Sequence, residues 1–328
     1  MRVLAGDIGG TNARLSVFVS EAGKLRPEAS EVFPSRDYAS LEDIVAGFIS
    51  SHGIECEIAS IGVPGPVRDG RAEITNLPWV VEAKSLSERT GIARVAVLND
   101  LEAQAWGIAA LEPRDFVVLN EGNGVAGGNA ALISAGTGLG QAGLYWDGER
   151  HRPFACEGGH ASFAPRGELQ LALQSFLTKR FGPHVSWERV VSGPGFVNLH
   201  DFLIAHRRAE NPPVRLETLR KTDPAQITRS ALQNECALCV EVLRLFVEFY
   251  GAEASNLALK LMASGGVYLG GGIAPKVIDR LKEPGFMETF LDKGRMRPLL
   301  EAMPVRVIIN GQTALLGAAR YAATLESR

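Results

Sequence analysis

The sequence predicts an α/β protein built as two domains. Three observations carry this reading. The chain has 328 residues, more than one hydrophobic core usually serves. Short apolar runs alternate with amphipathic helical stretches over much of its length. Two stretches share one layout, strand, Gly/Thr-rich turn, strand: Arg2–Val19 and Asn129–Trp146. The repeat is one of layout rather than identity, and it suggests duplication of half a fold.

In order along the chain, Arg2–Gly6 reads as a buried strand, Asp7–Asn12 as a turn and Ala13–Val19 as a returning strand. Leu41–Ser50 has helical spacing. Ile58–Val63 is a strand closed by Pro64-Gly65-Pro66, and Asp69-Gly70 predicts a hairpin turn between two short strands. Ser85 with Glu88 predicts a capping box for a helix ending at Gly91. Val95–Leu98 is a strand, and Asn99-Asp100 sits between it and a helix over Leu101–Leu111. Phe116–Leu119, Asn129–Ser134 and Ala142–Trp146 read as strands, and Pro165–Phe181 as a helix stopped by Gly182-Pro183. Asp223-Pro224 opens a long amphipathic helix to Tyr250, and a further helix runs to Gly265-Gly266. Strand Val267–Leu269, strand Val305–Ile309 and helix Thr313–Thr324 complete the chain, the last βα pair folding back onto the N-terminal domain.

Composition narrows the function. Apolar residues make up 46% of the chain, and the net charge of −3 comes from well-mixed acids and bases. That argues against disorder and against a nucleic-acid partner. No signal peptide is expected before the first strand, and the uncharged stretch Gly122–Trp146 is broken by glycine and polar residues, so no membrane span is expected. Of the four cysteines, Cys236 and Cys239 lie in a helical apolar stripe and read as core residues, without a second ligand pair for zinc. The set suits a reducing cytoplasm.

Two glycine-rich turns carry the first chemical signal. Asp7-Ile8-Gly9-Gly10-Thr11-Asn12 brings backbone N–H groups close together, which suits phosphate oxygens, and Asp7 offers a carboxylate for Mg²⁺, directly or through water. Taken alone it reads equally as a tight hairpin. Gly136-Thr137-Gly138 repeats the chemistry, and two such turns could clamp one nucleotide. Gly138-Leu139-Gly140-Gln141-Ala142-Gly143 matches G-x-G-x-x-G, but a strand follows where a dinucleotide site needs a helix. Asn99-Asp100 reads locally as a helix cap, and chemically as a base for a hydroxyl acceptor. Glu157-Gly158-Gly159-His160 offers donors and acceptors that suit sugar hydroxyls, with a surface turn as the competing reading. Glu188 alone reads as a solvated acid at a helix start, and Gly270-Gly271-Gly272 as a flat backbone surface for a base or for close packing.

Together these segments resemble the bacterial glucokinase family, within the actin/hexokinase/Hsp70 superfamily. The matching stretches are Gly6–Leu15, Asn99-Asp100, Gly136–Gly140, Glu157–His160 with Phe163-Ala164-Pro165, Glu188–Gly195 and Gly270–Ile273. They stand in the family's order across nearly the whole chain. The resemblance implies a two-domain actin-like ATPase fold of the ribonuclease H-like kind. A small α/β domain would span residues 1–110 and be completed by 301–328, and a larger α+β domain would span 111–300, with a cleft between. It implies that ATP is held by Gly6, Asp7, Ile8, Gly9, Gly10, Thr11 and Asn12 on one side and by Gly136, Thr137, Gly138 and Gly271 on the other, with Mg²⁺ at Asp7. Asn99, Asp100, Glu157, His160 and Glu188 would bind glucose, with Asp100 as the base on its 6-hydroxyl. The implied protein is a cytoplasmic homodimer without nucleic-acid or membrane partners. The Cys-rich zinc loop of the related repressor/sugar-kinase group is lacking, so no structural zinc is expected. The alternatives are a kinase of this fold acting on another hexose or an N-acetylhexosamine, a non-enzymatic sugar sensor, and a nucleotide switch with no small acceptor.

Overall fold

The computed structural model describes residues 1–21, 24–74, 77–210 and 223–325. In chain order the first stretch forms β1 (Arg2–Ile8), β2 (Asn12–Glu21), β3 (Lys24–Pro34), α1 (Leu41–His52), β4 (Ile58–Val63), β5 (Arg71–Glu73), β6 (Val80–Glu82), α2 (Ala83–Thr90), β7 (Arg94–Asn99) and α3 (Asp100–Ile108). There follow β8 (Phe116–Asn120), β9 (Ala130–Ala135), β10 (Leu139–Trp146), β11 (His151–Cys156), α4 (Gly167–Phe181), α5 (Gly193–Glu210), α6 (Pro224–Leu232) and α7 (Ala237–Leu261). The chain ends with β12 (Gly266–Gly270), α8 (Ile278–Lys282), α9 (Pro284–Leu291), α10 (Arg297–Glu301), β13 (Val305–Ile308) and α11 (Thr313–Leu325). Two units result: residues 1–115 with 152–155 and 310–328, and residues 116–151 with 156–309.

The first unit holds a five-stranded sheet, β3-β2-β1-β4-β7. β1, β4 and β7 are parallel, and β1 pairs antiparallel with β2. Alternate residues of β1 face opposite cores. Val3 and Ala5 pack with Leu315, Ala318 and Ala322 of α11, whereas Leu4 and Ile8 pack with Leu41, Ile44 and Phe48 of α1. A sheet covered on both faces needs apolar strands, and β4 is buried at every position. α3 and α11 cross with their backbones nearly touching. A Cβ on Gly107 would lie 1.9 Å from the Thr313 carbonyl oxygen, and one on Gly317 would lie 1.7 Å from that of Ala103.

The second unit repeats the plan. Its six-stranded sheet runs β11-β10-β9-β12-β13-β8, in which residues 152–155 of β11 group with the first unit. The β9–β10 pair is antiparallel, and β9, β12 and β13 are parallel, as β1, β4 and β7 are in the first sheet. The layout repeat seen in the sequence is therefore a repeat of sheet topology. α7 lies at the centre of one large core and is buried nearly all round, and its Tyr250 hydroxyl donates to the Ile133 carbonyl at 3.1 Å.

Several elements differ from the sequence expectation. β3 was not foreseen, because its alternation carries charged residues on both sides of the register. Helix α2 starts at Ala83 directly after β6, so Ser85 lies inside it and the capping box with Glu88 does not form. Asp69 and Gly70 do make a turn, both with positive φ, and Arg68 and Arg71 bond across it. It is flanked by a single bridge rather than by two strands, and β5 pairs onward with β6. The helix expected over 223–250 is two helices, broken where Asn234 takes φ 56° and Cys236 caps α7 through its sulfur. α7 then runs unbroken past Tyr250, because Gly251 is the point of close approach to α9. A Cβ there would lie 2.3 Å from the Phe286 carbonyl oxygen. Strand β13 pairs with β12 and β8, so only α11, not a βα pair, belongs to the first unit. The chain changes units after Asp115 and at Asn310, where the sequence reading had put residues 110 and 301.

Candidate active site

In the first unit, the turn between β1 and β2 is closed by the Gly9 amide donating to the Asn12 carbonyl at 2.8 Å. Ser35 clamps it from outside. Its hydroxyl donates to the Gly9 carbonyl at 2.8 Å and its amide to the Thr11 carbonyl at 2.9 Å. Asp7 pairs across the strands with Arg14 at 3.1 Å. Burial pushes the Asp7 carboxyl above its usual range, and Arg14 opposes the shift only in part. A half-buried carboxylate so placed at the mouth of a glycine turn suits a bound cation. Gly6 is buried within the sheet, where an added Cβ would lie 2.7 Å from Ile61 Cδ1, and the Ile8 side chain is in the core. Those two positions offer a ligand backbone groups alone.

The helix cap at the end of β7 is Asn99 rather than Asp100. Asn99 Oδ1 accepts from the Leu101 amide at 3.0 Å and the Glu102 amide at 3.3 Å, and its Nδ2 donates to the Gly65 carbonyl at 3.0 Å. Asp100 is the first residue of α3, and its Oδ1 accepts from the Leu101 amide at 2.9 Å. The helix N-terminus favours a carboxylate at that position. The crossing with α11 fixes the helix that carries it.

In the second unit, Gly136 N donates to the Gly138 carbonyl at 2.9 Å and closes the second turn. Glu188 braces it. Its carboxylate accepts from the Leu139 amide at 3.0 Å and lies where a Gly138 side chain would go, 2.5 Å from an added Cβ. Glu188 is thus tied to backbone, where sequence reasoning saw a solvated acid. Gly271, with φ 81°, packs on the end of β9, where a Cβ would lie 2.3 Å from the Ala135 carbonyl oxygen. The turn opens on a pocket of about 650 Å³, also lined by Gly193, Pro194, Phe196, Arg229, Ile273 and Lys276. Gly193, Pro194 and Ile273 lie in stretches that carry the family resemblance, whereas Phe196, Arg229 and Lys276 carry no signal in the sequence. The six come from three separate segments, and of α6 the sequence marks only its start, Asp223-Pro224, as a helix signal.

Glu157 and His160 flank a 3₁₀ turn, with His160 Nε2 3.9 Å from Glu157 Oε2 and both side chains exposed. The glycines between them press on β10. A Cβ on Gly159 would lie 1.9 Å from the Leu139 carbonyl oxygen, and one on Gly158 would lie 2.0 Å from Gln141 Oε1. The Glu157–His160 turn, the Gly136–Gly138 turn and Glu188 are therefore one packed assembly within this unit. Asp7–Asn12, Asn99 and Asp100 lie in the other unit.

The sequence model of the Glucokinase family matches residues 4–325. A glucokinase of Trichormus variabilis is 40% identical over 339 residues, covering 98% of this chain and 99% of its own length. One of Psychromonas ingrahamii is 38% identical, covering 97% and 96%. Among solved structures, a glucokinase from an Antarctic psychrotroph matches with a TM-score of 0.86 and 33% identity over 98% of this chain and 99% of that one. A ROK family glucokinase from Streptomyces griseus, in complex with glucose and AMPPNP, matches with a TM-score of 0.66 and 25% identity over 99% and 100%. The repeated sheets have the topology of the actin-like ATPase fold that these sugar kinases share. On its sequence from end to end, the chain belongs to the glucokinase family.

Proposed function

We propose that the protein transfers the γ-phosphoryl group of ATP to the 6-hydroxyl of glucose, giving glucose 6-phosphate and ADP. The observation that carries the reading beyond family membership is the 650 Å³ pocket beneath the second glycine turn. Its walls are mostly apolar, as a purine and ribose require, and Arg229 and Lys276 add cationic groups for phosphates. Gly136, Thr137, Gly138 and Gly271 of the second unit and Gly6–Asn12 of the first would serve the nucleotide.

Asp7 fits as the residue that holds Mg²⁺, directly or through water. When bound, the metal supplies neutralisation of the triphosphate charge. Asp100 would accept the proton of the attacking hydroxyl. Its hydrogen bond from the Leu101 amide orients the carboxylate. Asn99, Glu157, His160 and Glu188 would pair with the remaining sugar hydroxyls. Such pairing selects between epimers, because a misplaced hydroxyl leaves a polar group unsatisfied. Phosphoryl transfer needs positioning and charge stabilisation above all, and glycine turns pinned by Ser35 and Glu188 provide a fixed frame.

The reading extends to a cytoplasmic homodimer without nucleic-acid, membrane or structural zinc partners. The four cysteines are free thiols, and no helix among the described residues is long and apolar enough to cross a membrane. ³¹P NMR of the protein with MgATP and glucose tests the reaction. ADP and a hexose 6-phosphate should appear one for one. Inorganic phosphate in place of the sugar phosphate would contradict the proposal.

A further inference from the structure

Behind the Glu157–His160 turn lies a chain of polar side chains that the reaction itself does not use. It starts at Lys293, whose ammonium donates to Asn256 Oδ1 at 2.7 Å. Asn256 Nδ2 donates to Glu253 Oε2 at 2.9 Å. Gln141 Nε2 donates to the other oxygen of Glu253, Oε1, at 2.8 Å. Gln141 Oε1 then faces Gly158. Glu253 is completely buried and Gln141 is 1% exposed.

The chain has only one consistent polarity. An ammonium is a donor and nothing else, so it fixes the Asn256 amide with its oxygen toward Lys293 and its NH₂ toward Glu253. An ionised carboxylate only accepts, so it draws the Gln141 NH₂ inward and leaves the Gln141 oxygen outward. The sugar-side turn rests on that oxygen, at a glycine with no room for a side chain. Burial pushes the Glu253 carboxyl up. The Asn256 and Gln141 hydrogen bonds and the nearby lysines oppose the shift.

We propose that Glu253, acting through Gln141, is a positioning residue for the sugar-binding turn Glu157–His160. The inference rests on the reading of that turn as sugar-binding. Neither residue touches substrate. Glu253 sets which end of the Gln141 amide meets Gly158, and so sets the height of Glu157 and His160 over β10. If the amide turns round, NH₂ meets the Gly158 backbone and the turn lifts. That should weaken the sugar and leave the nucleotide pocket unaffected, since none of these residues lines it.

The test uses the full-length protein and steady-state kinetics in glucose and in MgATP, with thermal unfolding measured beside them. Gln141→Leu and Glu253→Gln should each raise the glucose KM about tenfold, the usual effect of unpairing a buried polar group. The MgATP KM should stay within about twofold. The double variant Gln141→Glu with Glu253→Gln exchanges acceptor and donor while keeping one buried charge, and should return the glucose KM to within about threefold of the parent. An unchanged glucose KM in a folded single variant would overturn the proposal. So would glucose and MgATP KM values rising together as thermal stability falls, or a double variant no better than the singles. If the singles do not fold, the glucose KM of the folded double variant decides alone: near the parent supports the proposal, and about tenfold higher overturns it. Glu157→Ala, run in parallel, separates the two layers. If it leaves glucose saturation unchanged, the sugar-binding reading of the turn fails and the inference with it. If Glu157→Ala weakens glucose and the Gln141 and Glu253 variants do not, the inference alone fails.

Discussion

The amide of Leu139 donates to the carboxylate of Glu188 at 3.0 Å, at the point where the second glycine turn becomes strand β10. One acidic side chain thereby holds the backbone of the proposed phosphate turn and stands in the set proposed for the sugar. Glu188→Ala should therefore raise the KM for both MgATP and glucose, whereas Glu157→Ala should raise that for glucose alone. Loss of one half-buried hydrogen bond to a carboxylate corresponds to about tenfold on each constant. Two-substrate kinetics distinguish the patterns, and an Glu188→Ala enzyme with unchanged MgATP saturation would remove its bracing role.

Asp100 stands at the first position of α3, while Asn99 does the capping. Removing the Asp100 carboxylate should therefore cost the fold little and the chemistry much. Asp100→Ala is expected to lower kcat by about 10²–10⁴-fold, the usual worth of a general base. ATP binding should be nearly unchanged, as measured by titration with a non-hydrolysable analogue. Turnover close to the parent would exclude Asp100 from the proton transfer.

The α3–α11 crossing has no space for a methyl group at Gly317, and the obstructing atom is a backbone oxygen that cannot rotate away. Gly317→Ala should destabilise the protein by about 3 kcal/mol, at the upper end of typical overpacking. That corresponds to a fall in Tm of about 5–10 °C. Differential scanning calorimetry reads this directly, and an unchanged Tm would mean that the two helices do not approach as described. Because α3 carries Asp100, kcat should fall as well, even well below the unfolding temperature.

His200 on α5 is 1% exposed, and neither ring nitrogen has a hydrogen-bond partner among the described residues. Burial lowers its pKa below the usual 6.5, and the Asp201 carboxylate at 3.7 Å opposes this only in part. With the folded value depressed, the unfolded chain binds the extra proton first. Stability should then be fully present above about pH 6.5 and decline as the pH falls below it. His200→Phe should flatten the decline between about pH 7 and 5. Equal slopes in the parent and the variant, followed by thermal unfolding across that range, would show that His200 is not its source.

The glycine turns and the strands that carry them were legible in the sequence because local rules decide them. Gly9-Gly10 and Gly136–Gly138 allow close turns, and the β-rich runs beside them can be buried only as strands. Other features depend on partners distant in the chain. Gly251 looked like a break in a helix, and only the passing backbone of Phe286 shows why α7 continues through it. Ser85 and Glu88 fit a capping box, but β6 runs straight into α2 and leaves no cap position for Ser85. Glu188 carried no local sign of its bond to Leu139, which is 49 residues away. Arg229 and Lys276 meet at one pocket through tertiary packing alone. The resemblance named the family correctly because its motifs stand in order, which no single turn could have done.

The central claim is phosphorylation of glucose by ATP. The most direct measurement couples glucose 6-phosphate formation to a reporter reaction, with MgATP and glucose as substrates and mannose, fructose and N-acetylglucosamine in parallel. The account requires rapid turnover with the highest kcat/KM for glucose. Folded protein that binds ATP yet leaves glucose unphosphorylated at saturating concentrations would contradict it.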